Sequence, residues 1–202
     1  MNIALSPQTV PIPWSDYLAG NYDRSLIPWA RYRYSGTGVV EVSGEAVRNV
    51  EIADELRFRL RSELRRLGHH WKCYTDSISL EVELSDKEER IPDLMVITAD
   101  TRQMMPDESR IVTLDMPAPI LVVEVVSPSS VKDDLEIKPF EYMGRGVGEY
   151  VSIDWRKEIV QVWSCTEDGK NYNFSEYRSG EQVILKSFPT LVITVAEMIL
   201  KP

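Results

Sequence analysis

The chain has 202 residues, of which 43% are hydrophobic and 27% charged, a balance typical of one sizeable globular domain. Its 23 basic and 32 acidic residues give a formal net charge of −9, which argues against strong non-specific binding to nucleic acid unless cations gather on one face. Two cysteines outside any motif, the lack of an apolar run of membrane-spanning length and an N-terminus without signal-peptide features predict a cytoplasmic protein.

Residues 1–28 are predicted to form an N-terminal arm, and residues 29–202 a single domain. The arm region is irregular and rich in proline, and it carries Trp14. Such an arm covers a sheet edge or embraces a second copy of the chain, so we expect a homodimer or a higher homo-oligomer. Two short strands, over residues 29–34 and 39–42, are predicted to follow it.

Residues 45–67 give the clearest helical pattern, since leucines recur at steps of three and four residues and Gly68 can cap the C-terminus. Arg57, Arg61 and Arg65 recur every four residues and share one face of this helix. Such a stripe can contact phosphates, but it is more often a solvated face balanced by neighbouring acids. We favour the solvated interpretation.

Several strands are predicted to follow the helix, over residues 71–75, 77–84, 94–98 and 120–126, with a charged turn over 85–90 and a loop over 99–118. The stretch 120–126 is aliphatic without alternation, which indicates a strand buried on both faces at the centre of a sheet. A helix is expected to end near Met143, with Pro139 predicting a kink or an interruption.

The rest of the chain is predicted to form a hairpin over residues 150–164, two more strands and a short terminal helix. Thr194 and Glu197 have the spacing of a capping box for that helix. The whole order predicts an α/β or α+β fold with a mixed sheet and a helix packed on each side.

Asp93, Glu124 and Lys138 are the candidate catalytic residues. Glu124 stands among six aliphatic residues, where an unpaired charge costs several kcal/mol. Two carboxylates on neighbouring strands can hold Mg²⁺ or Mn²⁺, and a bound metal polarises a phosphate and lowers the pKa of its water. A lysine beside them can position that water or offset charge in the transition state. The same three residues could instead form only a buried salt-bridge network.

Two stretches, Ile91-Pro92-Asp93-Leu94 and Glu124-Val125-Val126-Ser127-Pro128-Ser129-Ser130, are followed by Asp134 and Lys138. Together they resemble the Uma-two-like restriction endonuclease family, and the resemblance runs from about Ser25 to Leu200. It implies a restriction-endonuclease-like fold, in which helices flank a mixed central sheet. It also implies Mg²⁺-dependent phosphodiester hydrolysis of the PD-(D/E)xK type, with nucleic acid, DNA in the first place, as the substrate.

By this resemblance Asp93 and Glu124 are the motif carboxylates that bind the metal, and the backbone carbonyl of Val125 adds a ligand. The superfamily places its lysine two residues after the glutamate, where this chain has Val126. The amine would then come from Lys138 in the following helix.

Supporting residues are also implied by the resemblance. Asp134 would partner Lys138, and an acid of the first helix, Glu51 or Glu55, would complete the site. The family often has a histidine near the start of that helix, where this chain has Asn49. The net charge, Val126 and Asn49 motivate an alternative function, a nuclease fold that no longer cuts and serves as a binding or assembly module.

Overall fold

The computed structural model describes residues 9–29, 31–42, 46–83 and 87–201. The strands are β1 (Thr9–Pro11), β2 (Tyr32–Ser35), β3 (Gly38–Glu41), β4 (Lys72–Tyr74), β5 (Ser79–Glu83), β6 (Lys87–Arg90), β7 (Leu94–Ile97), β8 (Ile111–Val112), β9 (Leu121–Val125), β10 (Glu149–Asp154), β11 (Ile159–Cys165) and β12 (Tyr172–Arg178). The helices are α1 (Trp14–Ala19), α2 (Val47–Leu67), α3 (Ala99–Met104), α4 (Lys138–Arg145) and α5 (Val195–Met198), with a 3₁₀ turn at Arg24–Leu26 and a π-helical segment at Asp133–Ile137.

The main sheet has the strand order β12-β11-β10-β9-β7-β4. Strands β9 and β10 run parallel, whereas the other neighbours in this sheet are antiparallel. Every residue of β9 is buried, which confirms the prediction of a central strand covered on both faces. Its residues are aliphatic without polar alternation because both faces of the sheet pack against apolar side chains.

The two faces of the main sheet pack against different helices. Val123 and Val125 of β9 join the core that α2 covers with Ile52, Leu56, Leu60 and Leu64. Val122 belongs to the opposite core, which includes Tyr142 of α4. The predicted mixed sheet with a helix on each side is therefore confirmed. Among the described residues, no helix combines the length and the apolar character needed to cross a bilayer.

A second mixed sheet, with the order β1-β3-β2-β6-β5-β8, lies on the α4 side, since Leu80 and Val82 of β5 share a core with Tyr142. The described part of the predicted arm packs on this sheet: β1 pairs with β3, and the Tyr17 hydroxyl donates to Glu89 at 2.6 Å. Residues 1–8 lie outside the described ranges. The domain boundary at residue 28 and the homo-oligomer stay predictions.

Two predicted loops contain regular structure. Within 85–90, residues 87–90 form β6 rather than a turn, because its acids find partners in the sheet: Glu88 pairs with Arg33 at 2.6 Å, and Glu89 accepts from Ser79 at 2.6 Å. Within 99–118, α3 begins after Thr98, whose hydroxyl accepts from the Thr101 N–H, and β8 follows. The prediction of loops was wrong at both places.

The helix after β9 is interrupted, as Pro139 predicted. The Lys138 N–H donates to the Asp133 carbonyl across a five-residue step, which makes a π turn, and α4 starts directly after it. Proline has no N–H to continue the ladder, so the wider turn accommodates it. The turn ends at Lys138, the candidate catalytic amine. The capping box predicted for α5 is also confirmed.

Candidate active site

Asp93, directly before β7, and Glu124 of β9 belong to neighbouring strands of the main sheet. Leu94 of β7 pairs with Val123 of β9, and one step further along this antiparallel register Asp93 lies opposite Glu124. Both side chains are buried, at 6% and 4% exposure. The Asp93 Oδ2 accepts a hydrogen bond of 2.5 Å from the Val125 N–H, which ties this carboxylate to the end of β9.

Lys138 contacts two buried carboxylates. Its Nζ lies 2.9 Å from Glu124 Oε1 and 2.7 Å from Asp134 Oδ1. The three side chains are 13%, 5% and 2% exposed respectively. The Ser130 hydroxyl also donates to Asp134. The loop after β9 and the π turn therefore place one ammonium between two acids in a largely dry environment.

Two tyrosines that the sequence reasoning did not assign to the site complete this network. The Tyr142 hydroxyl donates to Glu124 Oε1 at 2.6 Å, and the Tyr150 hydroxyl donates to the Asp134 carbonyl at 2.8 Å. Both rings are fully buried, and their centroids lie 5.1 Å apart. The sequence feature that could have assigned Tyr142 to the site is its position four residues after Lys138, which places both side chains on one face of a helix.

Burial and the neighbouring charges set the protonation states of the network. Burial raises the pKa of Glu124, and the Lys138 ammonium opposes that rise. For Lys138 burial is the largest influence and lowers the pKa, but Glu124 and Asp134 together outweigh it, so the pKa is raised above its ordinary value. Burial, and then Glu124, raise the pKa of Tyr142 well above its usual range. These shifts favour the protonated forms of Lys138 and Tyr142 at neutral pH, in which both side chains are hydrogen-bond donors.

The Val125 carbonyl, the predicted backbone ligand, is held from the α2 side. The Asn49 amide donates to it at 3.0 Å, and the Trp155 indole N–H donates to Asn49 Oδ1, also at 3.0 Å. Next to it, the Arg156 guanidinium donates to the Val126 carbonyl at 2.5 Å. Asn49, which stood out in the sequence only as a departure from the family, thus supports the backbone beside Glu124.

The structure does not bring Glu51 or Glu55 to this network. Both lie on α2, whose apolar side covers the face of the sheet opposite to Glu124. Glu51 is 3.8 Å from Arg48, and Glu55 accepts from Arg59 at 2.9 Å. Arg57, Arg61 and Arg65 also lie on α2, where they line a surface cavity beside β4.

The donor atoms at the strand ends fit a hard cation. Asp93, Glu124 and the Val125 carbonyl offer oxygen ligands, which Mg²⁺ prefers, and Mg²⁺ usually keeps several waters besides. The two hydrogen bonds to Glu124 from Tyr142 and Lys138 both end on Oε1. In the described ranges, no three histidine, cysteine, aspartate or glutamate side chains come close enough to hold a metal ion as a group.

Comparison with known proteins finds one matching family and several solved structures of similar fold. The family model Uma2, described as "Putative restriction endonuclease", matches residues 21–196. Four chains of solved structures match, and one is the crystal structure of "a putative nuclease belonging to DUF820 from Anabaena variabilis ATCC 29413". That structure has a TM-score of 0.69 and 13% sequence identity, over 94% of this chain and 98% of its own. No curated protein matches. At 13% identity the structural likeness supports the fold alone.

Proposed function

This chain belongs to the Uma2 restriction endonuclease family, and from that premise we propose that it is a Mg²⁺-dependent endonuclease that hydrolyses phosphodiester bonds of nucleic acid, DNA in the first place. The observation that carries the proposal is the grouping of Asp93, Glu124 and Lys138. The register of β7 and β9, continued by one residue, sets the two carboxylates opposite one another, and an ammonium lies 2.9 Å from one of them. Carboxylates and a cation so placed can hold a metal ion and stabilise the negative charge that develops in phosphodiester hydrolysis.

Asp93, Glu124 and the Val125 carbonyl are the groups we assign to the metal. A bound Mg²⁺ would supply Lewis acidity and a water of lowered pKa. The chain itself prepares these ligands: the Val125 N–H holds Asp93, and the Asn49 amide holds the Val125 carbonyl. The ligands are therefore fixed by hydrogen bonds that do not depend on the substrate.

Lys138 is assigned to charge stabilisation at the phosphate. It stays protonated because Glu124 and Asp134 raise its pKa against the effect of burial, so it donates hydrogen bonds and offsets negative charge in the transition state. It does not accept the proton of the attacking water. Asp134 and Tyr142 act as positioning residues, since one holds the ammonium and the other holds Glu124 Oε1.

A second candidate function is a nuclease fold that binds or assembles without cutting. The observation that favours it is the closure of the network: Glu124, Lys138 and Asp134 already pair with one another, and all three are largely buried. A buried ion-pair network of this kind serves packing as well as catalysis. Val126, at the usual position of the superfamily lysine, is consistent with the same function.

The test compares Asp93→Asn and Glu124→Gln with the matched control Glu136→Gln, which removes an exposed acid from the π segment. Plasmid DNA and RNA oligonucleotides are incubated with Mg²⁺, Mn²⁺ or EDTA. We expect wild type and the control to cut in a metal-dependent manner, and each site variant to lose activity by about 100-fold or more. Circular dichroism and the thermal midpoint of each variant establish that it is folded.

Calorimetric titration of Mg²⁺ and Mn²⁺ into wild type and Glu124→Gln provides a second readout. Binding to wild type that is lost in the variant supports the assigned ligands. Retained cleavage by Asp93→Asn would contradict them. A wild type that neither cuts nor binds metal, with or without an oligonucleotide, would favour the binding module.

A further inference from the structure

Three of the four acidic residues of α2 are paired with arginines outside the stripe of Arg57, Arg61 and Arg65. Three ion pairs run along the helix, at 3.8, 2.9 and 2.6 Å: Arg48–Glu51, Arg59–Glu55 and Arg66–Glu63. The solvated interpretation of the stripe depended on these acids to balance it. Because these three acids neutralise other cations, they do not balance the charge of the stripe.

The stripe forms one wall of a surface cavity of about 480 Å³ between α2 and β4. Six basic side chains line this basic cavity: Arg57, Arg61, Arg65, His69, His70 and Lys72. Within the part of the chain that the structure describes, the one ion pair among these six joins Arg57 to Asp54 at 3.0 Å. Among the described residues, Arg61, Arg65 and Lys72 have no carboxylate partner, so they present three cations on a chain whose net charge is −9.

Arg57 and Arg61 lie near β4, since both line the same cavity as Lys72 and Cys73. Burial raises the pKa of the Cys73 thiol in β4 to about 12, and Arg57 and Arg61 both act against that rise. Their positive charge therefore acts on the β4 side of the basic cavity, where Lys72 and Cys73 lie. Cations held in a concave surface concentrate the field that attracts a polyanion.

We propose that the basic cavity binds the sugar-phosphate backbone of a nucleic acid, away from the scissile bond. The inference rests on the proposed function, because it takes the polyanion to be the substrate of the Asp93–Glu124 site. Contacts between basic side chains and phosphates position nucleic acid without reading its sequence. They also give this acidic protein the concentrated cationic face that binding of a nucleic acid needs.

Distance along α2 separates this surface from the chemistry. Asn49 touches the Val125 carbonyl, and at 1.5 Å per residue Arg57 and Arg65 lie about 12 and 24 Å further along the helix axis. At 3.4 Å per base pair that is about four to seven base pairs. The basic cavity therefore contributes to affinity, and its loss raises KM while leaving kcat at saturation within about two-fold.

The experiment compares Arg61→Gln/Arg65→Gln with the matched control Arg59→Gln/Arg66→Gln, which removes two charges from the same helix that are already ion-paired. Fluorescence anisotropy measures binding of a labelled 30-bp DNA duplex in EDTA, between 50 and 200 mM salt. We expect the slope of log K against log salt to flatten by about 1.8 in the first variant, since each phosphate contact on a duplex contributes about 0.9. The control slope should stay near that of wild type.

Lys72→Gln tests the opposite wall of the basic cavity and provides a second variant if the double variant folds poorly. On duplex DNA we expect it to flatten the slope of log K against log salt by about 0.9. A single-stranded 30-mer distinguishes single-stranded from duplex substrate, because each phosphate contact on a single strand contributes about 0.7 to the slope. Equal slopes in the variant and the control, or a wild type without salt-dependent binding, would overturn the proposal. If Asp93→Asn still cuts while Arg61→Gln/Arg65→Gln loses slope, the assigned active site fails and the basic cavity stands.

Discussion

Replacing Lys138 with methionine tests whether the buried ammonium is essential to the fold, independently of any activity. Methionine nearly preserves the length of the side chain and removes the charge, so Glu124 and Asp134 lose their shared partner. Removing one partner of a buried ion pair costs about 3–5 kcal/mol, because the remaining charge is left uncompensated. Lys138 serves two carboxylates that are 5% and 2% exposed, so we expect a loss in the upper half of that range.

The loss should depend on pH in a defined direction. Burial already raises the pKa of Glu124 above its ordinary value of 4.5, and removing the ammonium removes the main influence that opposes this rise. A carboxyl whose pKa is higher in the folded state favours folding most when it is protonated. Its contribution is fully present below the unfolded pKa and is lost as pH rises through the folded pKa. Lys138→Met should therefore destabilise the protein more at pH 7.5 than near pH 4.5.

Urea unfolding at these two pH values is the assay. With a slope of about 2 kcal/mol per molar urea, a loss of about 4 kcal/mol lowers the midpoint by about 2 M at pH 7.5. Lys132→Met, an exposed lysine just before the π segment, is the control and should change stability by at most about 0.5 kcal/mol. A loss below about 1 kcal/mol, or an equal loss at both pH values, would refute the reasoning.

Two further changes test other parts of the structure. Asn49→Ala removes the hydrogen-bond partner of the Val125 carbonyl and of the Trp155 indole N–H. We expect the free energy of unfolding, measured by thermal unfolding, to fall by about 1–3 kcal/mol. An unchanged midpoint would show that water replaces the amide. Hydrogen bonds from Arg66, and then from Thr190, lower the pKa of Glu63 from 4.5 to about 2. The ionised Glu63 therefore contributes stability that is present above pH 4.5 and is lost as the pH falls towards 2. Glu63→Gln should therefore be less stable than wild type at pH 7, and acid titrations of the two proteins should converge near pH 2, whereas a constant gap would contradict this assignment.

The sequence was sufficient wherever one local pattern decides the structure. The run around Glu124 predicted a central strand because its aliphatic residues leave no polar face. Pro139 predicted the interruption before α4 because proline cannot donate the next hydrogen bond, and the spacing of Thr194 and Glu197 predicted a capping box. Each of these predictions uses residues within a few positions of one another.

The sequence was insufficient wherever partners are distant along the chain. Glu88 and Glu89 suggested a turn, yet Arg33 and Tyr17, 55 and 72 residues away, make them part of a strand. The position of Asn49 drew attention only as a departure from the family, because its bond to Val125 spans 76 residues. The acids Glu51 and Glu55 fitted the helical spacing, but which face of the sheet α2 covers follows from tertiary packing.

The pairing of β1 with β3 has a consequence for any attempt to study the arm by deletion. Without residues 1–28, β3 becomes the outer strand of its sheet, and its unpaired amides and carbonyls become a template for strands of other molecules. Val39 and Val40 are buried in the intact protein, so the bared edge is also apolar. A shortened chain is therefore expected to aggregate, which hides any effect of the arm on assembly. Tyr17→Phe, which removes only the hydroxyl bound to Glu89, loosens the arm while the edge stays covered.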